Sequence, residues 1–183
     1  DERKIKKTLP FELEPLLPLP IEDVVVDYVH LPDDALFTAA IGKERIRKVI
    51  AAVEGRLGDL AIIDIGTAAL ALPFLEQKDS TGAGMILDIG ASSTFAVFYE
   101  KNRLVQIRSF DFGGSAITHA LAQDLSCDLQ EAESIKISGD YGTKTGAALA
   151  ACRAFCVSLA NTVEFMRINE TLRSTPAQIV MTG

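Results

Sequence analysis

Cysteine, histidine, positive charge and long apolar runs are all scarce in this chain, and each scarcity closes off a class of function. The three cysteines, Cys127, Cys152 and Cys156, are odd in number and lack metal-ligand spacing or nearby histidines. A disulfide framework and a zinc site are therefore not indicated. Cys152 and Cys156 instead share a helical stripe with Leu149, Leu159, Val163 and Met166, the pattern of a buried helix face. The two histidines, His30 and His119, lie far apart with no serine or cysteine motif beside them, so no nucleophilic triad is indicated. Eighteen Lys and Arg stand against 25 Asp and Glu, a net charge of −7, which leaves no basic field to hold a nucleic-acid backbone. No run approaches the ~20 apolar residues that span a bilayer, and the opening DERKIKK leads into no signal-type apolar segment. The expectation is a cytoplasmic chain without a membrane span, and 183 residues at 48% hydrophobic suffice for one domain or two small ones.

The chain is patterned as mixed α/β. A helix is expected around Pro10 to Leu17, with Thr8 as cap and Pro18 and Pro20 as its stop. Val24 to Val29 and Ala35 to Ile41 read as paired strands across a turn at Pro32, Asp33 and Asp34. Lys43 to Arg56 repeats Ile46, Ile50 and Val53 at helical spacing, with Gly55 or Gly58 to end it. A strand at Leu60 to Ile65 and a short helix at Thr67 to Leu75, interrupted at Pro73, lead to the best linker in the chain, Gln77 to Gly84. Three strands follow at Gly84 to Asp88, Thr94 to Tyr99 and Leu104 to Phe110, the last two a hairpin turning at Lys101 and Asn102. Helices at Ser115 to Leu125 and Leu129 to Ile137, a loop at Ser138 to Thr145, a long helix from Gly146 to Leu172 and a strand at Ala177 to Met181 complete it. Three strands, helices and a returning strand make a ribonuclease-H-like layout.

One motif carries chemistry. In MILDIGASSTFAVF, Met85 to Phe98, Asp88 ends one strand, Gly90 makes the turn and Ser92, Ser93 and Thr94 open the next. Such a turn presents backbone N–H groups and hydroxyls to an anion, and Asp88 is placed to hold Mg²⁺ through water. A plain β-hairpin turn is the competing reading. The similar IIDIGTAALA, Ile62 to Ala71, runs into helix formers, so its Asp64 and Gly66 read as a strand-to-helix turn.

With DIGASST, Asp88 to Thr94, FGGSAIT, Phe112 to Thr118, EAESIK, Glu131 to Lys136, and the opening LPFELEPLLPLPIEDVVVDY, Leu9 to Tyr28, the chain resembles the actin-like ATPases. More narrowly it resembles the PilM family of type IV pilus assembly and the related GspL family of type II secretion, and more distantly FtsA. The resemblance implies an actin-like fold: a 1C-type subdomain with a return into the first actin-like subdomain at 1–78, and a ribonuclease-H-like subdomain at 79–183. It implies DIGASST as the second phosphate loop, Gly113 and Gly114 lining a nucleotide cleft, and Glu133 and Lys136 reaching ribose and adenine. An i, i+3 Glu–Lys pair is also an ordinary surface pair. The cofactors implied are ATP and Mg²⁺, in a site that is vestigial in some relatives; Ser92 stands where glycine is frequent and narrows the approach of a phosphate. The first phosphate loop is missing and the chain stops at Met181, Thr182 and Gly183, where an adenosine-binding glycine run would begin, so a fragment is expected. The implied function is a scaffold at the inner face of the bacterial inner membrane, docking a PilN- or GspM-type tail and an assembly ATPase, with a homodimer allowed and no catalytic residue assigned. The alternative is an FtsA-like ATPase or a sugar-kinase-like phosphotransferase, for which Asp88 and Asp111 are the only acids in view.

Overall fold

Ile5, Leu9 and Leu13 recur every four residues among helix formers, and this stripe carries a helix, α1, over Glu2–Leu13 in the computed structural model, with Leu9 buried. The helix therefore starts well before Pro10, which sits inside it, and Thr8 caps nothing: its hydroxyl donates to the Lys4 carbonyl one turn back. The structure describes residues 2–31, 35–76, 82–101, 103–140 and 146–183. The chain divides into two units, Asp1–Asp64 and Ile65–Gly183.

In the first unit, β1 (Val24–His30) pairs antiparallel with β2 (Leu36–Gly42), as the β-branched run predicts. The expected turn at Pro32, Asp33 and Asp34 lies outside the described residues. Helix α2 (Lys43–Leu57) turns Ile46, Ile50 and Val53 inward and ends at Gly58, which takes the left-handed φ of 90°. The strand expected at Leu60 to Ile65 does not form. Ile62 and Ile63 are exposed, at 81% and 44%, and no strand among the described residues offers the segment a ladder, without which β-propensity has nothing to express.

The second unit begins earlier than the linker suggested. Short helices α3 (Gly66–Ala69) and α4 (Leu72–Leu75) bring Ala71 and Phe74 against Ile86, Val97 and Tyr99, so this segment belongs to the following core. The linker itself falls mostly outside the described residues, at 77–81. Strands β3 (Ala83–Ile89), β4 (Thr94–Glu100), β5 (Arg103–Phe110) and β6 (Gln178–Thr182) form one sheet in the order β5-β4-β3-β6, with β3 and β6 parallel and the other pairs antiparallel. Lys101, at φ 49°, turns the hairpin; Asn102 lies outside the described residues. Gly84 is required on the α4 side of the sheet: the Tyr99 ring crosses it so closely that a Cβ would lie 2.1 Å from the ring. Tyr99 thereby stacks on Phe74 and donates its hydroxyl to Gln178 on β6 at 3.1 Å.

Helix α7 (Gly146–Ile168) covers the other face, with Phe155, Leu159 and Met166 in a core of Met85, Leu87, Ala96, Phe98 and Leu172. The expected stripe holds at Leu159, Val163 and Met166 and fails at its start: Leu149 is 52% exposed and Cys156 is exposed, because Ala148 and Phe155 point inward instead. By length and composition α7 could cross a membrane; here it is the cover of a sheet. Helix α5 (Gly114–Leu125) packs on α7 and on α6 (Leu129–Ser138). Asp128 caps α6 by accepting from the Glu131 N–H, and Gly139 ends it; the expected loop beyond falls outside the described residues at 141–145. The long helix stops four residues before the expected Leu172, where Glu170 turns left-handed.

Two carboxylates hold this unit together over long sequence separations. Glu100, 1% exposed, accepts from the Arg173 and Ser174 N–H groups and the Ser174 hydroxyl, fixing the chain before β6. Asp124 on α5 accepts from the Ala147 and Ala148 N–H groups and so caps α7 from outside it. Glu100→Ala should cost about 2–4 kcal/mol, because three hydrogen bonds to a buried carboxylate are lost together, and Asp124→Ala about 1–2 kcal/mol, as loss of a helix cap does. Urea unfolding of both variants should show the midpoint falling further for Glu100.

Candidate functional site

The parallel pair sets the place where a ligand would sit. Asp88 of β3 lies opposite Thr182 of β6, so both parallel strands end together, and crevices at the carboxyl ends of parallel strands are where α/β sheets bind ligands. The turn after β3 is closed by the Gly90 N–H donating to the Ser93 carbonyl at 3.0 Å. The start of α5 is laid directly on this turn. Gly114 N–H donates to the Gly90 carbonyl at 3.0 Å and Ser115 N–H to the Ala91 carbonyl at 2.7 Å. Gly113 must be glycine for this approach: a Cβ would lie 2.5 Å from the Gly90 oxygen and 2.7 Å from the Ala91 oxygen.

The expected phosphate-loop residues divide into two groups. Thr94 is fully buried and donates its hydroxyl to the Phe112 carbonyl at 2.7 Å, so it ties the two loops together and has no proton left for an anion. Likewise the first N–H groups of α5 are spent on the turn, which removes the helix N-terminus as an anion cradle. What remains open is the turn itself. The Ala91 and Ser92 N–H groups and the Ser92 and Ser93 hydroxyls make no hydrogen bond among the described residues. The half-buried Asp88 carboxylate is not paired among them either, and it stands at the strand end as a carboxylate that holds a hydrated Mg²⁺ would.

Glu133 and Lys136 come to the same place through α5. The Lys136 ammonium donates to Glu133 Oε2 at 2.7 Å, to the Thr118 hydroxyl at 2.9 Å and to the Gly114 carbonyl at 3.2 Å. Thr118, 6% exposed, has both the Gly114 carbonyl, at 2.9 Å, and Glu133 Oε2 in reach of its single proton. Gly90, Gly114, Lys136 and Glu133 therefore form one bonded series from the strand end to α6. The Lys136 and Thr118 hydrogen bonds hold the Glu133 carboxyl below its ordinary pKa, so its contribution to stability is present above the usual carboxylate range and lost as pH falls through the lowered value. The sequence offered Glu133 and Lys136 either as nucleotide contacts by resemblance or as a surface pair, and assigned Thr118 no role, although it stands four residues after Gly114 on the same helix face.

Elsewhere the candidates thin out. Asp111 is exposed, and His119 bonds its own helix at the Ser115 carbonyl, 2.7 Å away. Among the described residues no three His, Cys, Asp or Glu side chains gather as metal ligands.

The model of the family described as type IV pilus assembly protein PilM matches residues 1–183. No curated protein matches the chain. A solved structure titled as the PilM-PilN type IV pilus biogenesis complex matches at a TM-score of 0.75 and 25% identity, covering 91% of this chain and 52% of that one. A Bacteroides thetaiotaomicron protein of actin-like ATPase fold and unknown function matches at a TM-score of 0.40 and 13% identity, over 67% and 48% of the two chains. The ethanolamine utilization protein EutJ of Carboxydothermus hydrogenoformans matches at 0.44 and 17%, over 99% and 86%. The last two are too distant to argue from. This chain thus spans about half of the PilM-PilN chain it matches, and within that span it shares the α/β fold of that structure. A family match that runs from the first residue to the last makes the chain a member of the type IV pilus assembly protein PilM family.

Proposed function

We propose that the chain is part of a cytoplasmic scaffold at the inner face of the bacterial inner membrane, which docks the tail of a PilN-type platform protein during pilus assembly. The observation that carries this reading is the match, at 25% identity and over 91% of the chain, to a structure titled as a PilM-PilN complex. The family match favours the pilus machine over the type II secretion machine and its GspM-type partner. An assembly ATPase and a second copy of the protein are further partners of the same scaffold.

The docking face lies in the first unit. Val25 and Val29 on β1 and Val49 on α2 are exposed, at 38%, 58% and 43%. The double variant Val25→Asp, Val29→Asp of the full-length protein should bind a synthetic PilN-type N-terminal tail at least about tenfold more weakly in fluorescence anisotropy, since charge in an apolar contact leaves desolvation uncompensated. An unchanged affinity with a normal circular dichroism spectrum would move the docking face elsewhere.

The second unit supplies a nucleotide site that acts as a conformational input. Ser92, Ser93 and the Ala91–Ser92 backbone would meet phosphate oxygens, Asp88 the hydrated Mg²⁺, and Glu133 the ribose. The pilus scaffold needs no turnover from this site. In titration calorimetry of the full-length protein, Asp88→Ala should weaken Mg-ATP binding about tenfold or more, as loss of a metal-holding carboxylate does. Equal binding by wild type and variant would remove Asp88 from the site.

A further inference from the structure

Positive charge is scarce in this chain, yet much of it is gathered in one place. Four of the eighteen Lys and Arg residues, Arg3, Lys4, Lys6 and Lys7, fall within five positions of α1, and all four are exposed. The side chains of Lys4, Lys6 and Lys7 make no hydrogen bond or ion pair among the described residues, although acids outnumber bases in the chain as a whole.

Helical geometry decides which way these groups face. Ile5, Leu9 and Leu13 form the inward stripe, with Leu9 buried. At about 100° per residue, Lys7 and Phe11 each lie about 160° round the helix from Leu9, and Lys4 about 140°. Lys4, Lys7 and Phe11 therefore share the outer face, at positions i, i+3 and i+7 of one stripe. Phe11 is 70% exposed there, and Leu16, in the short 3-10 helix Glu14–Leu16 that follows, is 78% exposed. Nor do the lysines steady the helix itself. Its negative end, where cations are favoured, carries Glu12 and no basic residue.

We propose that the outer face of α1 lies against the anionic surface of a lipid bilayer, with Lys4, Lys6 and Lys7 meeting the headgroups and Phe11 and Leu16 entering the boundary between headgroups and acyl chains. Charge complementarity selects an anionic partner, because three exposed ammonium groups stand together with no carboxylate bonded to them. Shape selects a membrane over an acidic peptide. The outer face of a helix is convex and these apolar side chains project from it, whereas peptides and small ligands are held in grooves that bury them. A lipid interface accepts projecting apolar side chains flanked by lysine, and each lysine near an anionic surface raises partitioning about fivefold. The surface uses none of the residues assigned above to the platform-protein tail or to nucleotide.

The test is co-sedimentation of the full-length protein with vesicles of phosphatidylglycerol and phosphatidylethanolamine, and with vesicles of phosphatidylcholine alone. Wild type should bind the anionic vesicles at low salt, at least about tenfold more weakly in about 0.5 M salt, and should not bind the zwitterionic vesicles. The double variant Lys4→Ala, Lys7→Ala should bind the anionic vesicles about tenfold or more weakly, and Phe11→Ser about threefold or more, each with an unchanged circular dichroism spectrum. Their affinity for the PilN-type tail should equal that of wild type, which separates the lipid contact from the docking face. Wild type that fails to bind the anionic vesicles, or binding that survives replacement of Lys4, Lys7 and Phe11, overturns the proposal. Capture of a polyglutamate peptide through the lysines, without vesicle binding, overturns it in favour of an acidic protein partner.

Discussion

Everything at the strand end depends on one backbone-on-backbone contact, the start of α5 seated on the turn after β3. Two hydrogen bonds make it, Gly114 to Gly90 and Ser115 to Ala91, and they need the chains closer than any side chain allows. Gly113 is the residue that permits this. Its φ of −165° is ordinary extended backbone, so the demand is for space and not for an unusual conformation. A methyl group there would have to push two carbonyls aside, and with them the turn that carries Ser92 and Ser93. Thr94 bonds the same two loops from the buried side through the Phe112 carbonyl. The turn and the helix are therefore one rigid piece, and α6 is hydrogen-bonded to it through Gly114, Thr118 and Lys136 besides packing Ala132 against Leu121.

That arrangement changes what an i, i+3 Glu–Lys pair means. On a solvated helix surface such a pair contributes a few tenths of a kcal/mol and fixes nothing. The Lys48–Glu44 pair on α2 is of that kind, with both side chains more than 70% exposed. Glu133 and Lys136 differ because a third polar group, Thr118, is buried between them, and buried polar groups that satisfy one another hold a single geometry. Every proton of the Lys136 ammonium is matched within this network, by Gly114, Thr118 and Glu133.

The sequence was legible where structure is local. Periodicity placed the sheet strands β3, β4 and β5 and helices α2, α5 and α6 within a residue or two, because apolar spacing and turn residues act over one or two turns of chain. It failed where a partner distant in sequence decides. Leu60 to Ile65 has the composition of a strand and no ladder to join. Leu149 and Cys156 sit on a plausible apolar stripe, yet the inward face of α7 is set by how Phe155 meets Phe110 and Phe112 across the core. Glu100 and Asp124 each act on backbone more than 20 residues away, and nothing near either residue announces it.

The site divides along the same line. Asp88, Gly90 and the serines could be picked out because a strand, a tight turn and hydroxyls in succession are a local device, and Gly113 and Gly114 because two glycines before a helix mark a close approach. What those groups do once assembled could not be read, since Thr94 looks like a phosphate donor until Phe112 takes its proton. Thr118 is the clearest instance. Threonine inside a helix is expected to bond its own backbone, and this one does, to Gly114. Only the arrival of α6 turns the same hydroxyl into a junction between two charges. A candidate site read from sequence therefore identifies the groups that reach a place, and the hydrogen bonds already closed there decide which of them remain for a ligand.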